Sequence, residues 1–326
     1  MTQIDTPLNL PAATTIKFER DARTRRGDYV EKLIEIVLFL AGFSSVAITL
    51  GIVGMLVWES LPFFRQVGLS KFLLDLQWTP LLGQPHYGIW GLLSGTITTT
   101  LVALFVAIPV GTICAIWLSE YCSARLREII KPVLELLSAV PTVVYGYFAL
   151  LFVTPILQAL LNPVLQTLGW DPLPGFNMLS AGFVMGIMII PYVASLSEDA
   201  MRSVPMALRE GSFAMGATRF QTSWNVVVPS ALSGITAAYI LGVARAIGET
   251  MIVAIAAGNM AGFQFNPLRE GQTITAYIVG ISKGDLPHGS LEYRTIFAAG
   301  LTLLVLTLFF NVGGYLIRKR YREAYT

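Results

Sequence analysis

Six stretches of the chain are apolar for long enough to cross a bilayer: residues 33–57, 91–118, 133–157, 178–197, 231–257 and 295–317. About 20 apolar residues in a helix cover the roughly 30 Å of hydrocarbon. A helix also satisfies its own backbone in lipid, which leaves helices as the expected spanning form. The pattern predicts an all-α membrane protein with a six-span region over residues 33–317. It is flanked by a loose polar N-terminal tail, 1–32, and a basic C-terminus, 318–326. The first apolar run exceeds the core of a secretory signal, and no small-residue cleavage site follows it.

Basic residues orient the spans. Lys17, Arg20, Arg23, Arg25, Arg26 and Lys32 precede the first. Arg125, Arg127 and Lys131 follow the second, Arg202, Arg209 and Arg219 follow the fourth, and Arg318, Lys319, Arg320 and Arg322 close the chain. Those sixteen share one side; Arg65, Lys71, Arg269, Lys283 and Arg294 make five on the other. Both termini and the loop after the fourth span are therefore expected in the cytoplasm. Two long outer loops are expected at about 58–90 and 258–294, with Trp78 and Trp90 at the membrane interface and His86 and His288 solvated. A nearly uncharged outer turn is expected at 158–177. Pro109, Pro141, Pro155 and Pro191 would kink spans without breaking them. Gly91/Gly95 and Gly182/Gly186 would let helices approach closely.

Composition agrees: 54% of the 326 residues are hydrophobic and 13% charged, against about 25% charged in soluble domains. The net charge of +2 reflects topology and says nothing of nucleic acid. Cys114 and Cys122 have no metal-ligand spacing and should stay reduced near the cytoplasm. There is no G-x-x-x-x-G-K-[ST] for ATP phosphates, and no catalytic triad, metal cluster or carboxylate dyad. The reading is of a conduit with no cofactor and no metal, and not an enzyme.

The loop over 201–230 carries the most specific pattern. Residues 210–229 read EGSFAMGATRFQTSWNVVVP. Glu210, Gly211, Ser212, Gly216 and Pro229 fit the spacing E-A-A-x3-G-x9-I-x-L-P. Pro205 suits the start of a short helix, Gly216 a left-handed turn or a close approach by another surface, and Pro229 the restart of a helix. Two short helices at a right angle are expected; the alternative is one interfacial amphipathic helix. The fifth apolar stretch holds Arg245 and Glu249. A charge at mid-bilayer costs about 2.5–3.5 kcal/mol, so neither should face lipid. At i, i+4 they share a face and can pair. They read either as a structural ion pair or as an anion-attracting arginine with a gating glutamate on a substrate path.

The 210–229 pattern resembles the cytoplasmic coupling loop of ABC-importer permeases, with Gly211-Ser212 in place of Ala-Ala. Together with LSEYCSARLREIIKPVLELLSAVPTVVYGYFAL (118–150) and VARAIGETMIVAIAAGN (243–259), the chain resembles permeases of the bacterial phosphate-specific ABC importer, PstC type, from about residue 33 to 315. The ARAIGET run marks the phosphate branch better than the subunit. The resemblance implies a type I importer fold with a coupling-helix loop in the bacterial inner membrane. It implies a second homologous permease, two cytoplasmic ATPase subunits and an extracytoplasmic phosphate-binding protein as partners. Glu210, Gly211, Ser212, Gly216 and Pro229 would serve ATPase coupling, and Arg245 and Glu249 the phosphate path. A permease for sulfate or molybdate, the sister phosphate permease, and an ATP-independent secondary transporter are the other readings.

Overall fold

The computed structural model describes residues 22–81 and 83–320, where the chain is helical almost throughout. Most of the expected N-terminal tail and the last six residues lie outside this range. Helix α1, Ala22–Val67, already begins ahead of the first apolar run, so the boundary placed at residue 32 is not a structural one. The chain divides into two compact units, the first ending at Gly54 and the second beginning at Met55. In the first unit, the portion of α1 from Val30 onward exposes apolar side chains all round, among them Leu38, Phe39 and Phe43. Such a surface suits lipid or a partner helix.

In the second unit, after the end of α1, the order is α2 (Leu69–Leu74), α3 (Trp90–Ile116), α4 (Ala124–Ser138), α5 (Thr142–Phe148), α6 (Thr154–Thr167), α7 (Met178–Arg202), α8 (Met206–Ala214), α9 (Arg219–Thr222), α10 (Val228–Ser230), α11 (Leu232–Ile247), α12 (Met251–Ala256), α13 (Ile274–Ser282) and α14 (Leu291–Arg320). π-helical turns continue α3 and join α5 to α6 and α9 to α10. Five helical runs are long and apolar enough to span: Val30–Val67, Trp90–Tyr121, Thr142–Thr167, Met178–Arg202 and Leu291–Leu316. A sixth span forms if Arg219–Ser230 and Leu232–Ile247, bent by 72° at Ala231, act together.

Two expected spans are redrawn. The third, read as 133–157, lies at Thr142–Thr167. Pro141 is extended at φ −57°, ψ 131°, and a proline also pushes the residue before it out of helix. Residues 124–138 instead form a separate helix, α4, whose start is capped by Ser123 accepting from the Leu126 N–H. Its Leu126, Ile129, Val133 and Leu136 recur at helical spacing and are exposed. Their apolar stripe had lengthened the run read as a span. The fifth, read as continuous over 231–257, breaks between Ile247 and Met251.

α7 is the most enclosed helix of the bundle, and its seam with α3 is set by glycine. A Cβ on Gly182 would lie 2.7 Å from that of Val102, one on Gly186 would lie 2.8 Å from the Ala103 carbonyl oxygen, and one on Gly111 of α3 would lie 2.9 Å from the Val193 Cβ. Gly91 and Gly95 do something else. They meet the Ala261 and Gln272 carbonyl oxygens, so they admit loop backbone and not a second helix. The loops at that end are folded, with Phe63, Phe72, Trp78 and Tyr277 in edge-to-face sequence at centroid distances of 5.9, 6.1 and 5.2 Å. Trp78 is buried there and so is not an interfacial anchor. His86 is likewise not simply solvated: its Nδ1 lies 2.8 Å from Asp75 Oδ2. Burial pulls the Asp75 carboxyl upward, but the Gln77 N–H and His86 outweigh that and hold it below its ordinary value.

Candidate substrate path and coupling loop

Arg245 sits on the last turn of α11, and Glu249 lies in the break that follows. No ion pair joins them. Because the helix stops at Ile247, the face that i, i+4 spacing assumes does not continue as far as Glu249. The first N–H groups of a new helix lack intrahelical acceptors. Glu249 Oε1 takes two of them, from Met251 at 3.0 Å and Ile252 at 3.3 Å. The Glu249 carbonyl accepts from Thr275 Oγ1 at 2.6 Å, tying the break to α13. Glu249 is buried. The half-buried Arg245 keeps its charge elsewhere: its guanidinium carbon lies 5.7 Å from the Tyr192 ring centre on α7, and its buried Nε has no hydrogen-bond partner. An arginine with an unfilled donor inside a helical bundle can receive an oxyanion.

The 201–230 loop is built from three short helices. Pro205 precedes α8, and Gly216 closes it at φ +84°, with its N–H donating to the Phe213 carbonyl at 2.9 Å. Nothing lies within 4 Å of a Cβ placed on Gly216 or Gly211. Thr218 and Gln221 form a reciprocal capping box that starts α9. Ser212 Oγ meets Thr222 Oγ1 at 2.9 Å and pins α8 to α9. Pro229 lies within α10, just before the bend into α11. Glu210 is exposed, as are Met206, Phe213, Met215, Phe220 and Trp224.

Besides the apolar packing of Val204 and Val227 against Ala115 and Ile235, a buried arginine holds this loop to the bundle. Arg209 of α8 is buried and donates through Nη2 and Nε to the Glu120 carboxylate at 3.0 and 3.3 Å. It also donates to the Val204 and Met201 carbonyl oxygens at 2.6 and 2.9 Å. Glu120 belongs to the π-helical turn after α3.

A model for binding-protein-dependent transport system inner membrane components matches residues 107–323, which include the loop and the broken fifth span. The chain belongs to that family. Among its relatives is the probable ABC transporter permease protein YqgH of Bacillus subtilis, 34% identical over 84% of each chain. The phosphate transport system permease protein PstC of Xylella fastidiosa is 32% identical, covering 91% of this chain and 92% of its own. The PstC of Haemophilus influenzae is 34% identical, covering 77% and 80%. A permease in the crystal structure of a bacterial alginate ABC transporter, in complex with a pentasaccharide-bound periplasmic protein, shares the fold. Its TM-score is 0.57 at 17% identity, covering 93% of this chain and 98% of that one. The fold is that of a type I ABC importer permease, and the protein is a multi-pass membrane protein.

The structure also places functional groups in this permease that spacing had passed over. Glu198 of α7 is 1% exposed and bonded to Lys131 of α4 at 2.9 Å, while Lys131 also holds Asp199. Arg127 and Arg202 lie 4.0 and 3.7 Å from the same Glu198 carboxylate. Burial lowers the Lys131 ammonium, but its contacts with Asp199 and Glu198 outweigh that and raise it above its ordinary value. The available signal was the Glu198-Asp199 pair at the end of an apolar run, without any hint of its distant partners.

Proposed function

We propose that this permease is the transmembrane subunit of an ATP-driven importer of inorganic phosphate. It would lie in the bacterial cytoplasmic membrane with both termini in the cytoplasm and form half of the translocation path. The carrying observation is the likeness to phosphate transport permeases along nearly the whole chain. The site chemistry supports it. Phosphate crossing a low-dielectric bundle needs a compensating cation, and Arg245 offers a planar fork with an unfilled donor. Glu249 holds the start of α12 and so fixes the break beside which that fork is presented.

ATP hydrolysis belongs to separate chains in this reading, and the permease is not itself an enzyme. The partners are a second homologous permease, two cytoplasmic ATPase subunits and an extracytoplasmic phosphate-binding protein. The exposed apolar side chains of α8 and α9, with Glu210, Gly211, Ser212, Gly216 and Pro229, would seat in a cleft of the ATPase. The open space around Gly211 and Gly216 leaves the backbone free for close approach.

The test is labelled phosphate uptake in cells lacking this chain, with and without its restoration, and with sulfate as competitor. Uptake that depends on the chain and resists sulfate supports the reading. Equal competition by sulfate makes it a general oxyanion permease. Chain-dependent uptake that persists without a functional ATPase overturns the ATP-driven reading.

A further inference from the structure

Beside the Arg209–Glu120 anchor lies a cavity of about 660 Å³, lined by the π-helical turn after α3, the start of α4, the end of α7 and the 201–230 loop. Four arginines face it: Arg127, Arg202, Arg209 and Arg219. Arg209 is saturated by Glu120 and two carbonyl groups. Arg127 and Arg202 face Glu198 Oε1 at 4.0 and 3.7 Å, beyond hydrogen-bonding distance, while Lys131 takes Oε2 at 2.9 Å. Among the described residues Arg219 has no ion-pair partner, and it points to the same cavity from the first turn of α9. Around the cavity five cations, Arg127, Lys131, Arg202, Arg209 and Arg219, meet three carboxylates, Glu120, Glu198 and Asp199. Two positive charges are left over, carried on guanidinium forks whose geometry suits a tetrahedral oxyanion.

We propose that this cavity is a second oxyanion site, distinct from Arg245, which binds a phosphate-type group through Arg127, Arg202 and Arg219. The bound group is either free phosphate or the headgroup of an anionic lipid. The three arginines come from α4, the end of α7 and the start of α9, so a bound anion would tie the loop to the bundle. If the loop couples to an ATPase, as proposed above, an anion on the cytoplasmic side restrains import as product accumulates. That consequence rests on the transport reading, whereas the site itself does not.

Cys122 lines the cavity and is a native reporter. The purified chain, carrying Cys114→Ser so that one thiol remains, is placed in phosphatidylcholine nanodiscs and labelled with a maleimide at constant ionic strength. Saturating inorganic phosphate slows Cys122 labelling by about tenfold, as mass action gives when ligand exceeds its Kd about tenfold. The Arg202→Gln/Arg219→Gln double variant loses that protection. Arg219→Gln alone, which breaks no ion pair, serves if the double variant does not fold. In nanodiscs of equal parts phosphatidylglycerol and phosphatidylcholine, arginine-dependent slowing without added phosphate assigns the site to lipid headgroups. No slowing in either arm, equal slowing by chloride, or protection that survives the arginine variants overturns the proposal.

Discussion

Two of the permease's arginines, Arg209 and Arg245, are wired to nearby glutamates in opposite ways. Arg209 has four hydrogen bonds, two of them to Glu120, which lies 89 residues earlier in the chain. Arg245 has Glu249 four residues away and makes no ion pair with it, because the carboxylate caps α12. A guanidinium with filled donors is a fixed joint, since breaking it leaves a buried charge behind. A guanidinium held over one aromatic ring gains about 0.5–2 kcal/mol and keeps donors open. The difference teaches that sequence proximity of opposite charges did not decide pairing. The local end of a helix did.

The largest effect expected is on uptake in Arg245→Gln. Phosphate uptake should fall to background while membrane insertion and unfolding midpoint stay close to those of the parent chain. Arg245→Lys should recover part of the activity at best, because it restores charge without the fork. Normal uptake in Arg245→Gln cells at matched expression would erase the contrast between the two arginines and leave Arg245 a structural group.

Arg209→Ala should act the other way, on stability before transport. Removing one partner of a buried ion pair costs about 3–5 kcal/mol, and here two carbonyl groups also lose their donor. The midpoint for denaturation in detergent should fall, and residues 206–222 should become accessible to protease. An unchanged midpoint and cleavage pattern would show that Arg209 is not a joint. Gly216→Leu should cost less within the chain, about 1–2 kcal/mol for a side chain in the left-handed region. The change should still release the ATPase or uncouple its hydrolysis, measured on the purified complex; retained subunits with normal stimulated hydrolysis would refute the role given to Gly216. The smallest change is Glu249→Gln, which keeps an oxygen to cap α12 but removes the charge. A loss of about 1 kcal/mol, typical of a weakened helix cap, should appear in the midpoint, with slowed uptake. Full wild-type stability and uptake together would remove Glu249 from the path.

Much of this was legible in the sequence, and the failures have local causes. Apolar length gave the membrane class and a span count that the structure meets with five runs, or six if the pair bent at Ala231 acts as one. It misplaced the third because the stripe Leu126, Ile129, Val133 and Leu136 is apolar on one side only, and Pro141 ends it. The fifth span read as continuous because Gly248 in ARAIGETM can sit in a helix or end one, and only the packing of Glu249 against α12 and α13 decides. The spacing drew attention to Arg245 and to Gly216, whose φ of +84° needs a glycine. It could not show Glu120, Lys131 or Glu198, whose partners lie 67 to 89 residues away. Gly91 and Gly95 carried the same signature as Gly182 and Gly186 yet admit a loop, since small size shows that something comes close but not what.

The seam between α3 and α7 sets how freely the chain can drift. With Gly111, Gly182 and Gly186 each facing an atom inside 3.0 Å of where a Cβ would stand, even a change to alanine there forces two helices to shift. The first part of α1 exposes leucine, isoleucine and phenylalanine side chains, so one apolar residue serves as well as another. Random substitution should therefore leave two different records in one chain. On α1 only hydrophobicity should persist, and at the three glycines identity itself.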